Sequence, residues 1–245
     1  MIEKATYWQA LYEQSQQVNL ENMQVDHMEV NHHLDIPALV NTRLASWLPS
    51  PAKGVKRLML EREGGEKVSR ATSIVAYAPN SQFSSHSHPK GEEFYVLFGT
   101  FSDEHGDYPA GSYVRNPPSS AHKPFSREGC LIWVKLQQFE PVDSQHIVID
   151  TQQNRRKNDE QCDNENILFN DYEQVSIIEP TDDQVLPVTW LVNGIEILVL
   201  SGVLQVNNSH YQQGHWLRYP ANSEHFIVAL AGCRLLIKVG HLGSA

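Results

Sequence analysis

Between about residue 30 and residue 138 the apolar positions fall in short runs and alternations, with almost no helical spacing. Residues 55–60, 71–77, 94–98, 111–115 and 131–136 each read as strands. The clusters between them, PSPAKG, EREGGEK, APNSQ, SDEHGDYPAG, NPPSSAH and SREG, are rich in residues that favour tight reversals. Many short strands with frequent turns predict an all-β sandwich or barrel. Residues 1–25 differ. Thr6 followed by Gln9 resembles a capping box, and Trp8, Leu11 and Tyr12 share one helical face, which predicts a short helix that buries this face on the domain that follows. Residues 151–166, TQQNRRKNDEQCDNEN, are almost free of apolar side chains and read as an exposed linker or surface loop. Strand signals then resume. The expected organisation is a helical segment at 1–29, a β domain at 30–145, a linker at 146–166 and a second β domain at 167–245.

The second domain repeats the first. At an offset of 103 residues Gly91 matches Gly194, Glu93 matches Glu196, Gly99 matches Gly202, and Gly111 matches Gly214. The same shift pairs Arg115 with Arg218, Pro117 with Pro220, His122 with His225, Cys130 with Cys233 and Lys135 with Lys238. A register held from Gly91 to Lys135 without a gap, with glycines at matched bends, implies two copies of one β domain.

Candidate chemistry gathers in SHSHPKGEEFYVLFG, residues 85–99. His86 and His88 are two apart, so on an extended segment they point to the same side. A turn through Pro89, Lys90 and Gly91 brings Glu92 back toward them, and His122 follows later in the chain. Three imidazoles and a carboxylate form the ligand set of a divalent metal, and they can close a tetrahedral zinc site. The repeat separates ligands from scaffold. His86 falls on Thr189, His88 on Leu191 and Glu92 on Ile195, whereas Glu93 is kept as Glu196. A buried carboxylate is costly unless paired or metal-bound, so its replacement by Ile is what a copy without metal needs. Glu93, Arg115 and Arg218 are therefore assigned to structure. His225 survives in the copy without the other ligands, either as a relic with hydrogen-bond partners or as a position with some structural role in both copies. The adjacent pair His32 and His33 is expected to be solvated, because neighbours on a strand face opposite ways.

Composition narrows the partners. The formal net charge of −10 is spread along the chain, which works against direct contact with nucleic acid. The three cysteines, Cys130, Cys162 and Cys233, are too far apart for a disulfide framework and are expected to be reduced, two of them in the core. No apolar run is long enough to span a bilayer, and MIEKATYWQALYEQSQQ lacks the apolar centre of a signal peptide, so a cytoplasmic protein without membrane contact is expected. A small-molecule ligand in the first barrel is the expected partner. A protein partner and pairing of barrels into a homodimer stay open.

The stretch with His86, His88, Glu92 and Gly99, and YPAGSYVRNPPSSAH with Gly111, Pro117 and His122, resemble the two motifs of the cupin superfamily. FSDEHGDYPAGSYVRNPPSSAHKPFSREGCLIWVKL resembles more narrowly the ChrR-type cupin domain. The resemblance implies a jelly-roll barrel, here a bicupin, with a metal held by His86, His88, Glu92 and His122. In the ChrR group that metal is zinc, and the full-length proteins are anti-sigma factors that restrain transcription. Their sigma-binding part is a separate N-terminal helical zinc domain with Cys ligands. Here the first cysteine is Cys130, so a sigma factor is not expected to bind in that way. Related cupins with the same donors use iron, manganese or nickel for dioxygenase chemistry on diketones or flavonoids. The sequence thus implies a zinc-binding sensor or small-molecule-binding protein, with a metal-dependent dioxygenase as the alternative and no catalytic residue assigned.

Overall fold

A computed structural model describes residues 6–20, 28–65, 68–153 and 164–242. Residues 154–163 of the expected linker, including Cys162, lie outside the described residues. The fold is all-β with a short N-terminal helix, and it divides into two compact units. The first comprises Met1–His32 and Ala45–Gln152; the second comprises His33–Leu44 and Gln153–Ala245. No helix among the described residues is long and apolar enough to cross a membrane.

In the first unit the helix Tyr7–Gln17 starts where Thr6 caps it, its side chain accepting from the Gln9 N–H at 3.3 Å. This satisfies one of the amides that a helix start leaves unpaired. Trp8, Leu11, Tyr12 and Ser15 form its buried face, with the Tyr12 ring 5.1 Å from that of Phe98. At the other end Lys56 Nζ donates to the carbonyls of Ser15 and Val18 at 2.5 and 2.7 Å, where the last turn has no partners of its own. The helix lies against an antiparallel sheet ordered Ile147–Asp150, Ser112–Asn116, Glu92–Asp103, Cys130–Leu136, Arg70–Tyr77, Val55–Glu63 and Leu48–Pro49. Alternate residues of these strands, among them Val75, Tyr77, Phe94, Val96, Val114, Ile132 and Val134, meet in one apolar cluster, as strand alternation requires.

The second unit has a six-stranded sheet ordered Ala38–Asn41, His215–Tyr219, Ile195–Ser201, Arg234–Val239, Gln174–Ile178 and Glu165–Asn170. A four-stranded sheet runs Gln184–Val185, Ile227–Ala229, Val203–Val206 and Ser209–Gln212. Its core is mainly aliphatic, with Ile195, Ile197, Val199, Leu217, Leu235 and Ile237 all buried.

The repeat is visible as shared architecture. Glu93 and Arg115 are directly opposed on adjacent strands, as are Glu196 and Arg218. Glu93 accepts a hydrogen bond from Tyr113 at 2.6 Å, and Glu196 accepts one from Trp216, the matching position, at 2.7 Å. Arg115 completes a fully buried ion pair with Asp143 at 2.7 Å and lies 3.6 Å from Glu93, while Arg218 donates to the carbonyl of His33 at 2.8 Å. Gly99 and Gly202 bend their strands at φ +71° and +72°, where a Cβ would come 2.2 Å from the Gly129 carbonyl or 2.6 Å from the Cys233 Cα. Only glycine fits there.

Two segments differ from the sequence expectation. Ile147–Asp150, which falls in the expected linker 146–166, is a strand paired with Ser112–Asn116. Ala38–Asn41, expected within the first domain at 30–145, pairs with His215–Tyr219, with Ala38 opposite Arg218 and Asn41 opposite His215. Both are four-residue strands whose pairing is set by distant partners, so local pattern carries little signal for them.

Candidate metal centre

His86–His88 and Ser120–His122 form a two-stranded antiparallel ribbon in which His122 lies opposite His86 and His88 opposite Ser120. Alternation then puts the three imidazoles on one face of the ribbon. Their ring centroids form a triangle with sides of 5.0, 5.2 and 4.7 Å, and one nitrogen of each lies within 4.8 Å of the others, as a shared metal ion requires. The turn that follows depends on Gly91, at φ +75°, whose N–H donates to the His88 carbonyl at 3.1 Å. A Cβ there would come 2.2 Å from the Phe139 ring. This turn brings Glu92 to the ribbon, with its two carboxylate oxygens 3.7 Å from His88 Nε2 and 3.5 Å from His122 Nε2.

The ring orientations suit a metal. His86 Nδ1 faces the Ser84 carbonyl at 2.9 Å, and His122 Nδ1 faces Asp103 Oδ2 at 3.1 Å. Both partners accept, so each Nδ1 carries the proton and each Nε2 keeps its lone pair. His88 Nδ1 lies 3.4 Å from Ser120 Oγ. The Nε2 atoms of His88 and His122 are buried and have no hydrogen-bond partner, an unfavourable arrangement for polar atoms without a ligand. A cation between them and Glu92 would remove that cost, so the residues present fit a divalent ion.

Two side chains that the sequence reading did not single out support the ligands. Asp103 holds His122, as carboxylates commonly hold metal-bound imidazoles, and Asn116 donates to Glu92 Oε2 at 3.2 Å. The repeat carries a signal for both, because Asp103 falls on Val206 and Asn116 on Tyr219 at the same offset. The charge states follow the surroundings. Burial lowers the His88 pKa, further aided by the neighbouring imidazoles and opposed by Glu92. Burial would also lower that of His122, but the Asp103 hydrogen bond and the charges of Glu92 and Asp103 outweigh it and raise the value. Burial would raise the Asp103 pKa, but hydrogen bonds from His122, the His105 N–H and Tyr108 lower it.

A cavity of about 660 Å³ reaches His86 and Glu92 and continues along the inner face of the sheet past Val75, Ile132, Val134 and Leu136. Its volume suits a small molecule. The matching place in the second unit is filled. Leu191, Ile195 and Val206 belong to the apolar core, the counterpart of the His86 strand is the short helix Thr189–Val192, and residues 220–226 carry no strand. His225 stacks on Tyr219 with centroids 4.0 Å apart and lies 3.3 Å from Asn207 Nδ2, and burial lowers its pKa.

Comparison with known proteins agrees with this architecture. No curated protein matches the chain. Many solved structures share the fold, these three among them. A cupin 2 conserved barrel domain protein from Leptotrichia buccalis is 13% identical, with 86% of this chain and 99% of that chain covered and a TM-score of 0.57. The bacterial pirin YhhW from Escherichia coli, in complex with nickel(II), is 11% identical, with 83% and 98% covered and a TM-score of 0.60. Ylba from E. coli is 14% identical, with 86% and 93% covered and a TM-score of 0.62. Residues 36–140 match the family model of the ChrR Cupin-like domain, and over these residues the chain is similar to that family.

Proposed function

We propose that the first unit holds one divalent metal ion through His86, His88, Glu92 and His122 and binds a small molecule beside it, as a sensor or binding module of the ChrR-like type. The observation that carries this reading is the pair of buried, unpartnered Nε2 atoms of His88 and His122 facing Glu92. Zinc is the metal we assign, since three imidazoles and one carboxylate suit its tetrahedral preference. A bound zinc ion supplies a Lewis acid that can take a ligand atom as an additional donor. The chain's own residues do the rest: Asp103 and the Ser84 carbonyl orient the imidazoles, Asn116 orients the carboxylate, and the sheet excludes water from one side. Elemental analysis of purified protein tests the assignment, with about one zinc per chain expected.

A second reading, a metal-dependent dioxygenase, is supported by the cavity that reaches His86 and Glu92. The opening that admits a ligand to a sensor also admits a substrate to an enzyme. Iron or manganese near one per chain, together with oxygen uptake on a β-diketone, would replace the sensor reading with this one.

A further inference from the structure

Two buried hydroxyls on the cavity wall have no part in the candidate metal site. The strand Arg70–Tyr77 alternates, so Ser73, Val75 and Tyr77 share one face, and all three line the cavity. Ser73 and Tyr77 are each only 4% exposed. Neither hydroxyl has a hydrogen-bond partner among the described residues. A buried hydroxyl without a partner is costly, and a ligand in the cavity would supply one.

The surroundings define the kind of ligand. Val75 lies opposite Ile132 and Ser73 opposite Val134, and both of these neighbours line the cavity, so the hydroxyls are set into an apolar wall. They are four residues apart on an extended strand, about 13 Å between Cα atoms. Tyr77 stands one ring away from the metal site on two sides. Its ring centroid is 5.8 Å from that of Phe83, which lies 5.7 Å from His86, and 5.4 Å from that of Phe101, which lies 6.1 Å from His122. The two arginines of the lining are occupied by main-chain carbonyls, Arg57 by that of Pro49 at 2.9 Å and Arg62 by those of Gly64 and Gly65, and Lys53 is exposed. Burial holds the Tyr77 pKa well above the ordinary phenol value, so this hydroxyl keeps its proton and can donate.

We infer that Tyr77 and Ser73 are the recognition groups of the cavity. Its ligand is an uncharged molecule whose apolar body lies over Val75, Ile132 and Val134, with one oxygen function hydrogen-bonded to Tyr77 beside the metal site and a second polar group taken by Ser73. An apolar wall carrying two neutral hydroxyls favours such a molecule over an ion. The inference rests on the metal-dependent binding reading above and adds the residues and the chemical class that set its selectivity.

Ligand-detected NMR titration of the full chain tests it with phenethyl alcohol and phenylbutanol, each beside the hydrocarbon in which a methyl replaces the hydroxyl, propylbenzene and pentylbenzene. Tyr77→Phe keeps the ring and removes only the oxygen. It should weaken at least one alcohol by about fivefold, the worth of one hydrogen bond, and leave the hydrocarbons unchanged. Ser73→Ala should weaken the longer alcohol by a smaller factor, and phenylbutyrate should bind more weakly than phenylbutanol. The hydrocarbons report in each variant whether the cavity has kept its shape. Alcohol affinities that survive in both variants, losses equal for alcohol and hydrocarbon in both, tighter binding of phenylbutyrate, or alcohols that do not bind at all would each overturn the inference. Metal analysis of the same samples separates the two readings. A selective loss of alcohol in protein that holds no metal sinks only the metal site, whereas metal-loaded protein in which Tyr77→Phe changes nothing sinks only this inference.

Discussion

The two units bend at the same glycines and bury a glutamate on the same strand, yet one gathers three imidazoles where the other packs Leu191, Ile195 and Val206. In the second unit each of those apolar side chains contributes roughly 1.5–3 kcal/mol by leaving water. In the first, the same space holds a carboxylate and imidazoles whose burial costs energy until something compensates their charge. The second unit thus fills this space by apolar packing, and the first departs from that more stabilising solution at the places where a cation would sit. What the units share is scaffold; where they differ, one gathers side chains that could hold a metal and the other packs apolar ones.

The largest test of this division is removal of ligands. His86→Ala with His88→Ala should take bound metal from about one ion per chain to near zero by elemental analysis, while His225→Ala in the second unit leaves it unchanged. Metal retained by the double variant would break the comparison at its base. Next are the matched glutamates. Glu93→Gln and Glu196→Gln each remove a buried negative charge beside a buried arginine, and each should cost about 3 kcal/mol of unfolding free energy in urea, with metal content intact for both. Unequal costs would show that the shared scaffold carries unequal loads.

A smaller effect is expected at Asp103. Asp103→Asn should weaken metal affinity by about 10- to 100-fold, the usual range for a residue that orients a ligand, and competition with a chelator measures it. The same residue governs pH behaviour. The raised His122 pKa means that in metal-free protein this group contributes stability fully below about pH 6.5, and the contribution is lost as pH rises through the higher folded value. Asp103→Asn should flatten that dependence in urea titrations from pH 5 to 8. The smallest effect is an absence of reaction common to both units. Burial pushes the Cys130 thiol up to about 12 and that of Cys233 to about 11, so mass mapping after alkylation at pH 8 should find both unmodified until the protein is denatured.

Much of this was legible in the sequence because it is encoded locally or by the repeat. The strands from 55 to 136 follow from alternation, the Thr6 cap from a short motif, and the assignment of Glu93 to scaffold from its survival as Glu196. Comparing copies also pointed to Glu92, which the structure sets beside the imidazoles. Asp103 and Asn116 escaped notice although the repeat replaces them with Val206 and Tyr219, because a lone Asp in a turn-rich stretch has an ordinary structural explanation. The strands Ala38–Asn41 and Ile147–Asp150 were not legible. Each is too short for periodicity to speak, and each owes its extended form to a neighbour supplied by tertiary structure.

The pairing of Ala38 with Arg218 joins positions 180 residues apart in the chain. During synthesis at roughly 5–20 residues per second, Ala38–Asn41 emerges about ten to thirty-five seconds before the strand it pairs with. Both segments of the first unit, Met1–His32 and Ala45–Gln152, are made before that partner strand and can fold in the interval, with the unpaired Ala38–Asn41 strand waiting between them in the chain. A cut placed after Gln152 therefore would not yield two self-sufficient halves, since the second would leave behind a strand made long before its own synthesis began.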